Sequence, residues 1–360
     1  MSCSIKDVAR RAGVSVGTVS RVINGHDNVA DNLVSAVKTA INELGYSKNS
    51  AARLLAGQRG FSRLRTGNIG LWMAEAGDAW SNNHTYVSYL NGVQNVCTRC
   101  GCHLILEHEV SGEQIPACVR DGKVDGLIVK ALNRIPPILS ELAGQIPVVG
   151  LSMNESSLSL PQVTTDNRTA GEEVCRYLWQ RGHRRIGFIA IPHTHRMFAD
   201  RMAGYSYFLN SMGAFDPALL RISPENNNGK PWKNFPDLRP FLSALLELAV
   251  PPTAIITAND WMAYGLCEAA REMRLRIPEN LSVVGFDHLD HPFAFPRLTS
   301  WSIPMREMGE TAAEWLLDLI SQDRRCDCRP TFRLVNGSLI EHDSVRDCPA
   351  LSEIRAFSAQ

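Results

Sequence analysis

Apolar residues recur along this chain with two different periods, and the change from one to the other divides it. Up to about residue 46 the period is helical. Ile5, Val8, Ala9 and Ala12 fall at i, i+3, i+4 and i+7, on one face of a helix. Ser4 followed by Asp7 is an acidic version of the capping box, and Gly13 can take the left-handed conformation that ends such a helix. Ser15 is placed to cap a second helix, with Val19, Val22 and Ile23 facing inward and Val16, Gly17, Thr18, Ser20 and Arg21 outside. Leu33, Val37, Ala40, Ile41 and Leu44 form the stripe of a third helix, which Gly45 ends. Two short helices around a tight turn predict a helix-turn-helix, whose second helix reads bases. Residues 49–57 are helix-permissive but too few for a stable helix in water, and the Gly-, Ser-, Thr- and Arg-rich residues 58–68 read as a linker.

From Ile69 the pattern changes to short continuous apolar runs separated by amphipathic segments: NIGLWMA, CHLILE, VDGLIVK and IPVVGL, then RRIGFIAI, TAIITA and LSVVGF. These are buried strands of the parallel type with helices between them. They predict an α/β core of two doubly wound parallel-sheet subdomains, with a cleft at the carboxyl ends of the strands. The segment VTTDNRTAGEEVCRYLWQRGH is expected to open the second subdomain. The run PRLTSWSIPMREMGETAAEWLLDLI is expected to cross back to the first, and TFRLVNGSLIE to return to the second. The expected domains are 1–47 (helix-turn-helix), 48–67 (hinge helix and linker), 68–344 (two-lobed core) and 345–360 (tail).

Charge sharpens this division. The formal net charge is zero over 360 residues, yet residues 1–66 carry ten Lys/Arg against four Asp/Glu, a net of +6, and the remainder carries −6. A basic end on an acidic body is the footprint of a part that neutralises phosphates. No apolar run approaches the roughly 20 residues of a membrane span, and no apolar signal core opens the chain, so a cytoplasmic location is expected. Among the ten cysteines, Cys97, Cys100, Cys102 and His103 have the spacing C-x2-C-x-C-H. They straddle a helix end, a turn at Gly101 and a strand start, which points the side chains apart and favours ordinary cysteines over a metal site. Asp287, His288, Asp290 and His291 likewise read as a polar loop. Gly13-Val14-Ser15-Val16-Gly17 spells G-x-S-x-G, but a nucleophile elbow needs a strand before the serine, and here a helix precedes it. There is no P-loop and no G-x-G-x-x-G after a strand. The expectation is a protein that is not an enzyme and needs no cofactor.

Several dispersed motifs together resemble the lactose-repressor (LacI/GalR) family of bacterial transcriptional regulators: IKDVARRAGVSVGTVSRVING, NELGY, NSAARLL, VDGLIV, TTDNRTAG, RGHRRIGFIA, DRMAGY, TAIITANDWMAYG, IPENLSVVGFD and LTSWSIP. The likeness runs from about Ile5 to Ser344. It implies a homodimer on pseudo-palindromic operator DNA, and a core of periplasmic-binding-protein type whose cleft takes a sugar or related metabolite. It implies most strongly a repressor released by its ligand, with a corepressor-dependent repressor, an activator or a sugar receptor that does not bind DNA as alternatives.

By position the resemblance gives Val16, Gly17 and Arg21 the base-reading places and makes Thr18 and Ser20 phosphate contacts. Ser15 and Asn24 complete the set, and Leu55 becomes the hinge residue wedged into the minor groove. In the cleft it assigns Arg201, Asn259, Asp260 and Asp287, with Glu75, Ser152, His193, His195, Phe198 and Trp261 as specificity positions. An Arg, an Asn and two Asp supply donors and acceptors suited to hydroxyl-rich ligands. The residues also admit a purely local reading, in which Asp260 caps the following helix and Asp166-Asn167 shapes a turn. Four departures from the family pattern stand out: Gly17 offers no side chain to a base, Lys48 replaces a usual proline, Ser152 replaces a usual aspartate, and the basic linker before Ile69 is lengthened.

Overall fold

The computed structural model describes residues 5–23, 29–44, 66–74, 84–108, 115–131, 135–190, 196–222, 235–289, 296–322 and 330–348. The chain separates into two compact units, Met1–Thr66 and Gly67–Gln360. In the first, α1 (Ile5–Ala12), α2 (Val16–Ile23) and α3 (Asp31–Leu44) close over Val8, Ala9, Val19, Val37 and Ala40. The apolar faces read from the sequence for all three helices meet there. Gly13 has a φ of 67°, and the Ser15 hydroxyl accepts from the Thr18 amide at 3.0 Å, so the turn and the cap are formed as expected. Arg11 pairs with Glu43 at 2.6 Å and ties α1 to α3 at the surface.

The second unit contains two six-stranded sheets. In chain order its elements are β1 (Asn68–Met73), α4 (His84–Cys100), β2 (His103–His108), α5 (Ala117–Arg120), β3 (Gly126–Lys130), α6 (Leu139–Gln145), β4 (Val148–Leu151), β5 (Pro161–Thr164), α7 (Asn167–Gln180), β6 (Ile186–Ala190), α8 (Arg196–Ser211), β7 (Leu220–Ile222), α9 (Arg239–Leu246), β8 (Ala254–Thr257), α10 (Asp260–Glu272), β9 (Ser282–Phe286), β10 (Thr299–Ser302), α11 (Met305–Ser321), β11 (Thr331–Leu334) and β12 (Ser338–Ile340). The strand orders are β11-β5-β4-β3-β1-β2 and β12-β10-β9-β8-β6-β7. They are the same pattern twice, except that β11 joins parallel to β5 whereas β12 joins antiparallel to β10. Period-two alternation sends Ile69, Leu71 and Met73 to one face of the first sheet and Trp72 and Ala74 to the other, both buried. That is why these strands read as unbroken apolar runs.

Two expected boundaries move. VTT does not open the second lobe: β5 pairs with β4 in the first sheet, and the chain crosses only at Thr165-Asp166. Thr299–Ser302 stay in the second sheet, α11 alone returns to the first lobe, and TFRLVNGSLIE is split between them. Its Thr331–Leu334 pairs with β5 and its Ser338–Ile340 with β10. A strand of three or four residues carries too little pattern to declare its sheet, because pairing is decided by a partner far away in sequence. The expected tail also begins later than residue 345. His183 Nε2 faces the Arg346 carbonyl oxygen at 3.1 Å, and Arg181 reaches Asp347 at 3.0 Å.

Each lobe is built around one very close helix crossing. A Cβ added at Gly171 of α7 would lie 2.0 Å from the Arg201 carbonyl oxygen, and one at Gly204 of α8 would lie 1.9 Å from that of Arg168. In the first lobe, Gly92 of α4 and Gly309 of α11 stand in the same relation, at 2.0 Å from the Arg306 and 2.3 Å from the Tyr89 carbonyl oxygens. Backbone meets backbone, so no side chain can yield. Gly171→Ala should therefore lower stability by about 3 kcal/mol. Gly144→Ala, in α6 with nothing within 4 Å, should be neutral or gain up to about 1 kcal/mol. Urea midpoints of the two full-length variants would separate these outcomes.

His183 is buried, and burial pushes its imidazole below the ordinary histidine value. The unfolded chain therefore takes up this proton first, and stability is lost as pH falls below the ordinary value of about 6.5. His183→Gln should lose less stability than the parent between pH 7.5 and 5.5, measured by urea unfolding at both pH values.

Candidate functional site

The centre of the second unit is Arg201, held on α8 by the crossing just described and fully buried. Its Nε donates to Asn167 Oδ1 at 2.9 Å, Nη1 to the Ala258 carbonyl oxygen at 2.6 Å and Nη2 to Asp287 Oδ1 at 3.2 Å. The guanidinium lies 5.3 Å from the centre of the Phe198 ring and 4.6 Å from that of Phe286. Four elements thus converge on one cation: the start of α7, the end of β8, the end of β9 and α8 itself. Asp287 follows β9 with a φ of 103°, a left-handed conformation that turns its carboxylate back toward Arg201. Burial raises the Asp287 carboxyl, while Arg201 and then Lys130 pull it down.

Asp260 and Asn259 divide the work differently from the local reading of the sequence. The cap of α10 is Asn259, whose Oδ1 accepts from the Met262 amide at 2.9 Å. Asp260 is instead buried under the loop after β9, accepting from the Leu289 amide at 2.7 Å and the Ser300 hydroxyl at 2.8 Å. Burial first, and the nearby Asp287 second, drive its carboxyl well above the usual range, which favours the protonated form. Asp166 is the cap of α7, accepting from the Thr169 amide and hydroxyl, and its neighbour Asn167 joins the Arg201 network.

The facing lobe contributes Ser152, Tyr89 and Lys130. Ser152, at the end of β4 with a φ of 55°, hydrogen-bonds the buried Tyr89 hydroxyl, which senses both Asp287 and Arg201 across the lobes. Lys130 closes β3, is 2% exposed, and lies 5.8 Å from the centre of the Tyr89 ring. A direct bridge spans the two lobes, where the Asn154 amide donates to Asp200 Oδ2 at 2.6 Å.

Of the residues expected in the cleft, Arg201, Phe198, Asp287, Asp260, Asn259 and Ser152 come to this region. Trp261 sits beside them on α10, packed edge-on against Phe235 at 4.7 Å. Glu75, His193, His195, Asp290 and His291 lie outside the described residues, as do Ser4, Asn24, Gly45 and residues 48–65 with Leu55. On the DNA-binding unit, Val16, Gly17 and Arg21 are exposed on the outer side of α2, with Thr18 and Ser20 half-buried beside them. Sequence reasoning missed Lys130, Tyr89 and the Asn154–Asp200 bridge. Lys130 had a signal, a charged residue ending an otherwise apolar strand; Tyr89 had none.

Residues 4–49 match the family described as bacterial regulatory proteins, lacI family, and residues 175–345 match the periplasmic binding protein-like domain. The HTH-type transcriptional repressor PurR of Salmonella paratyphi A is 34% identical over 359 residues, covering 96% of this chain and 98% of that protein. The chain belongs to the lacI family. Its relative PurR from Escherichia fergusonii is also 34% identical with the same coverage. Among solved structures, the transcriptional regulator CelR in complex with cellobiose is 28% identical, with a TM-score of 0.66 over 95% of this chain and 99% of that one. A lac repressor dimer bound to operator and the anti-inducer ONPF shares the fold at 23% identity, with a TM-score of 0.74 over 96% of this chain and all of that one. This lacI-family chain is accordingly a DNA-binding transcriptional regulator with a two-lobed effector core. No helix among the described residues is long and apolar enough to cross a membrane.

Removing Arg201 strands the half-buried Asp287 carboxylate. Arg201→Met should destabilise the protein by about 3 kcal/mol, and Asp287→Asn in the same background should recover part of that loss. A double-mutant cycle from urea unfolding would measure the coupling; strictly additive losses would remove Arg201 from the centre of the site.

Proposed function

We propose that this regulator is a cytoplasmic homodimeric repressor whose operator affinity is set by a small hydroxyl-rich metabolite bound between the lobes of residues 67–360. The observation that carries this reading is the Arg201 cluster. A buried guanidinium is pre-oriented by Asn167, Ala258 and Asp287 between two aromatic rings, at the carboxyl ends of strands. Its planar donors, the Asp287 carboxylate and the flanking Phe198 and Phe286 rings form the mixture of polar and apolar surface that grips a ring bearing hydroxyls. The cellobiose held by CelR is a ligand of that kind. Ser152 cannot accept two hydroxyls as a carboxylate does, so the effector is a compound other than a simple monosaccharide.

Ligand between the lobes favours one lobe orientation over another, and in a dimer that alters the spacing of the paired DNA-binding units. On the DNA side, Arg21 and Val16 read bases from α2, where Gly17 offers no side chain, Thr18 and Ser20 contact phosphates, and Ser15 and Asn24 complete the DNA-binding set. Leu55 inserts into the minor groove between the half-sites. A thermal-shift screen of disaccharides, sugar acids and nucleobases on the full chain, followed by operator binding with the best hit, tests the effector reading. A hit that stabilises the protein and changes operator affinity at least tenfold is expected. Stabilisation equal to the parent's by that hit in a Phe198→Ala variant would count against the assigned cleft.

Arg21→Ala should relax base preference, lowering discrimination between the selected operator and single-base variants by about 1–3 kcal/mol. Its affinity for unrelated DNA should fall much less. Competition binding at fixed salt concentration reads both numbers.

A further inference from the structure

The carboxyl end of α4 places two thiols against each other for a backbone reason. The helix ends at Cys100, and Gly101 follows with a φ of 67°. The Cys102 amide then donates back to the Cys97 carbonyl oxygen at 3.0 Å, and the Gly101 amide to that of Thr98 at 3.4 Å. This is a Schellman ending, in which the residue after the glycine folds onto the residue near the end of the last helical turn. In most such endings an apolar pair makes that contact; here both residues are cysteine. The Cys97 and Cys102 thiols are close enough for each to bear on the other's ionisation. Both are reduced, Cys97 buried and Cys102 partly accessible, with exposed Cys100 beside them.

We propose that Cys97 and Cys102 form a reversible oxidation site, in which a hydroperoxide closes an intramolecular disulfide at the end of α4. The accessible Cys102 thiolate attacks a peroxide oxygen: an S–O bond forms, the O–O bond breaks, and water or an alcohol leaves after protonation. Cys97 then attacks the Cys102 sulfenic sulfur, the S–S bond forms, the S–O bond breaks, and the departing hydroxide takes up the Cys97 proton as water. Two thiols are oxidised by two electrons in all, and the peroxide is reduced by the same two. Burial pushes the Cys97 thiol up to about 12, which leaves Cys102 to react first and Cys97 to resolve. The location gives the reaction an output. The next residue, His103, donates its amide to the Gly67 carbonyl oxygen at 3.0 Å and pairs with Asn68 at the start of β1. Gly67 is the first residue after the DNA-binding unit, so tightening this turn acts on the strand that follows the linker directly.

The test uses the full chain carrying Cys100→Ser, treated with hydrogen peroxide and digested with trypsin without reduction. Arg99 lies between the two cysteines, so a Cys97–Cys102 disulfide joins peptides 66–99 and 100–120, and fragmentation distinguishes Cys102 from Cys118. The expected result is that linked pair, lost on dithiothreitol treatment and absent from the Cys100→Ser/Cys102→Ser variant, together with an at least threefold change in operator affinity. Oxidation only to sulfinic or sulfonic acid, or linkage only between copies of the chain, would overturn the site. Full linkage with unchanged operator affinity would overturn its connection to the linker.

Discussion

A buried positive charge constrains most of the second unit. Arg201 is tolerable in the interior only because every side of its guanidinium meets something: an amide oxygen, a carbonyl oxygen, a carboxylate and two ring faces. Each partner comes from a different stretch of chain, so satisfying the charge fixes where α7 starts, where β8 and β9 end, and how the loop after β9 turns. In the proposed reading, the same atoms that make the second lobe a single object also meet the ligand. If that reading holds, a change at Arg201 is felt in stability and recognition alike.

The helix crossings set how closely that residue can be approached. Arg201 and Gly171 meet backbone to carbon, so the α8 segment that carries the guanidinium is seated directly on α7 rather than on a cushion of side chains. Because backbone does not repack as side chains do, the guanidinium is located by the most rigid contact a protein can make. Across the lobes the contacts are of another kind. Asn154 to Asp200, and Tyr89 and Lys130 toward Asp287, are polar, the sort that can be exchanged for water at small net cost. Rigid lobes with a soft seam are what a two-position device requires.

Much of this was legible in the sequence, for identifiable reasons. The Ile5 and Val19 stripes, the cap at Ser15 and the turn at Gly13 are local, and periodicity and capping chemistry are local rules. Arg201, Asp260 and Asp287 stood out only through the family resemblance, by their places in DRMAGY, TAIITANDWMAYG and IPENLSVVGFD. What stayed hidden depended on distance. The three- and four-residue strands β11 and β12 could not announce their sheets, and Tyr89 looks like any aromatic in an amphipathic helix until α4 is placed against Ser152. Asp260 passed for a cap because capping is inferred from position, whereas the neighbouring Asn259 has the extended backbone that a cap requires.

The two glycine crossings also impose an order in time. Gly171 and Gly204 belong to consecutive helices, so the second lobe can begin to close as soon as α8 has been synthesised. Gly92 must wait for Gly309, which arrives more than half the chain later, with the second lobe's helices and most of its strands in between. Although the first lobe starts the core, its own helix crossing is made only after that of the second lobe. Until α11 emerges, α4 presents its narrow glycine face and the apolar residues around it to solvent. That interval is when a nascent chain is most exposed to aggregation, and the length of the excursion through the second lobe sets how long it lasts.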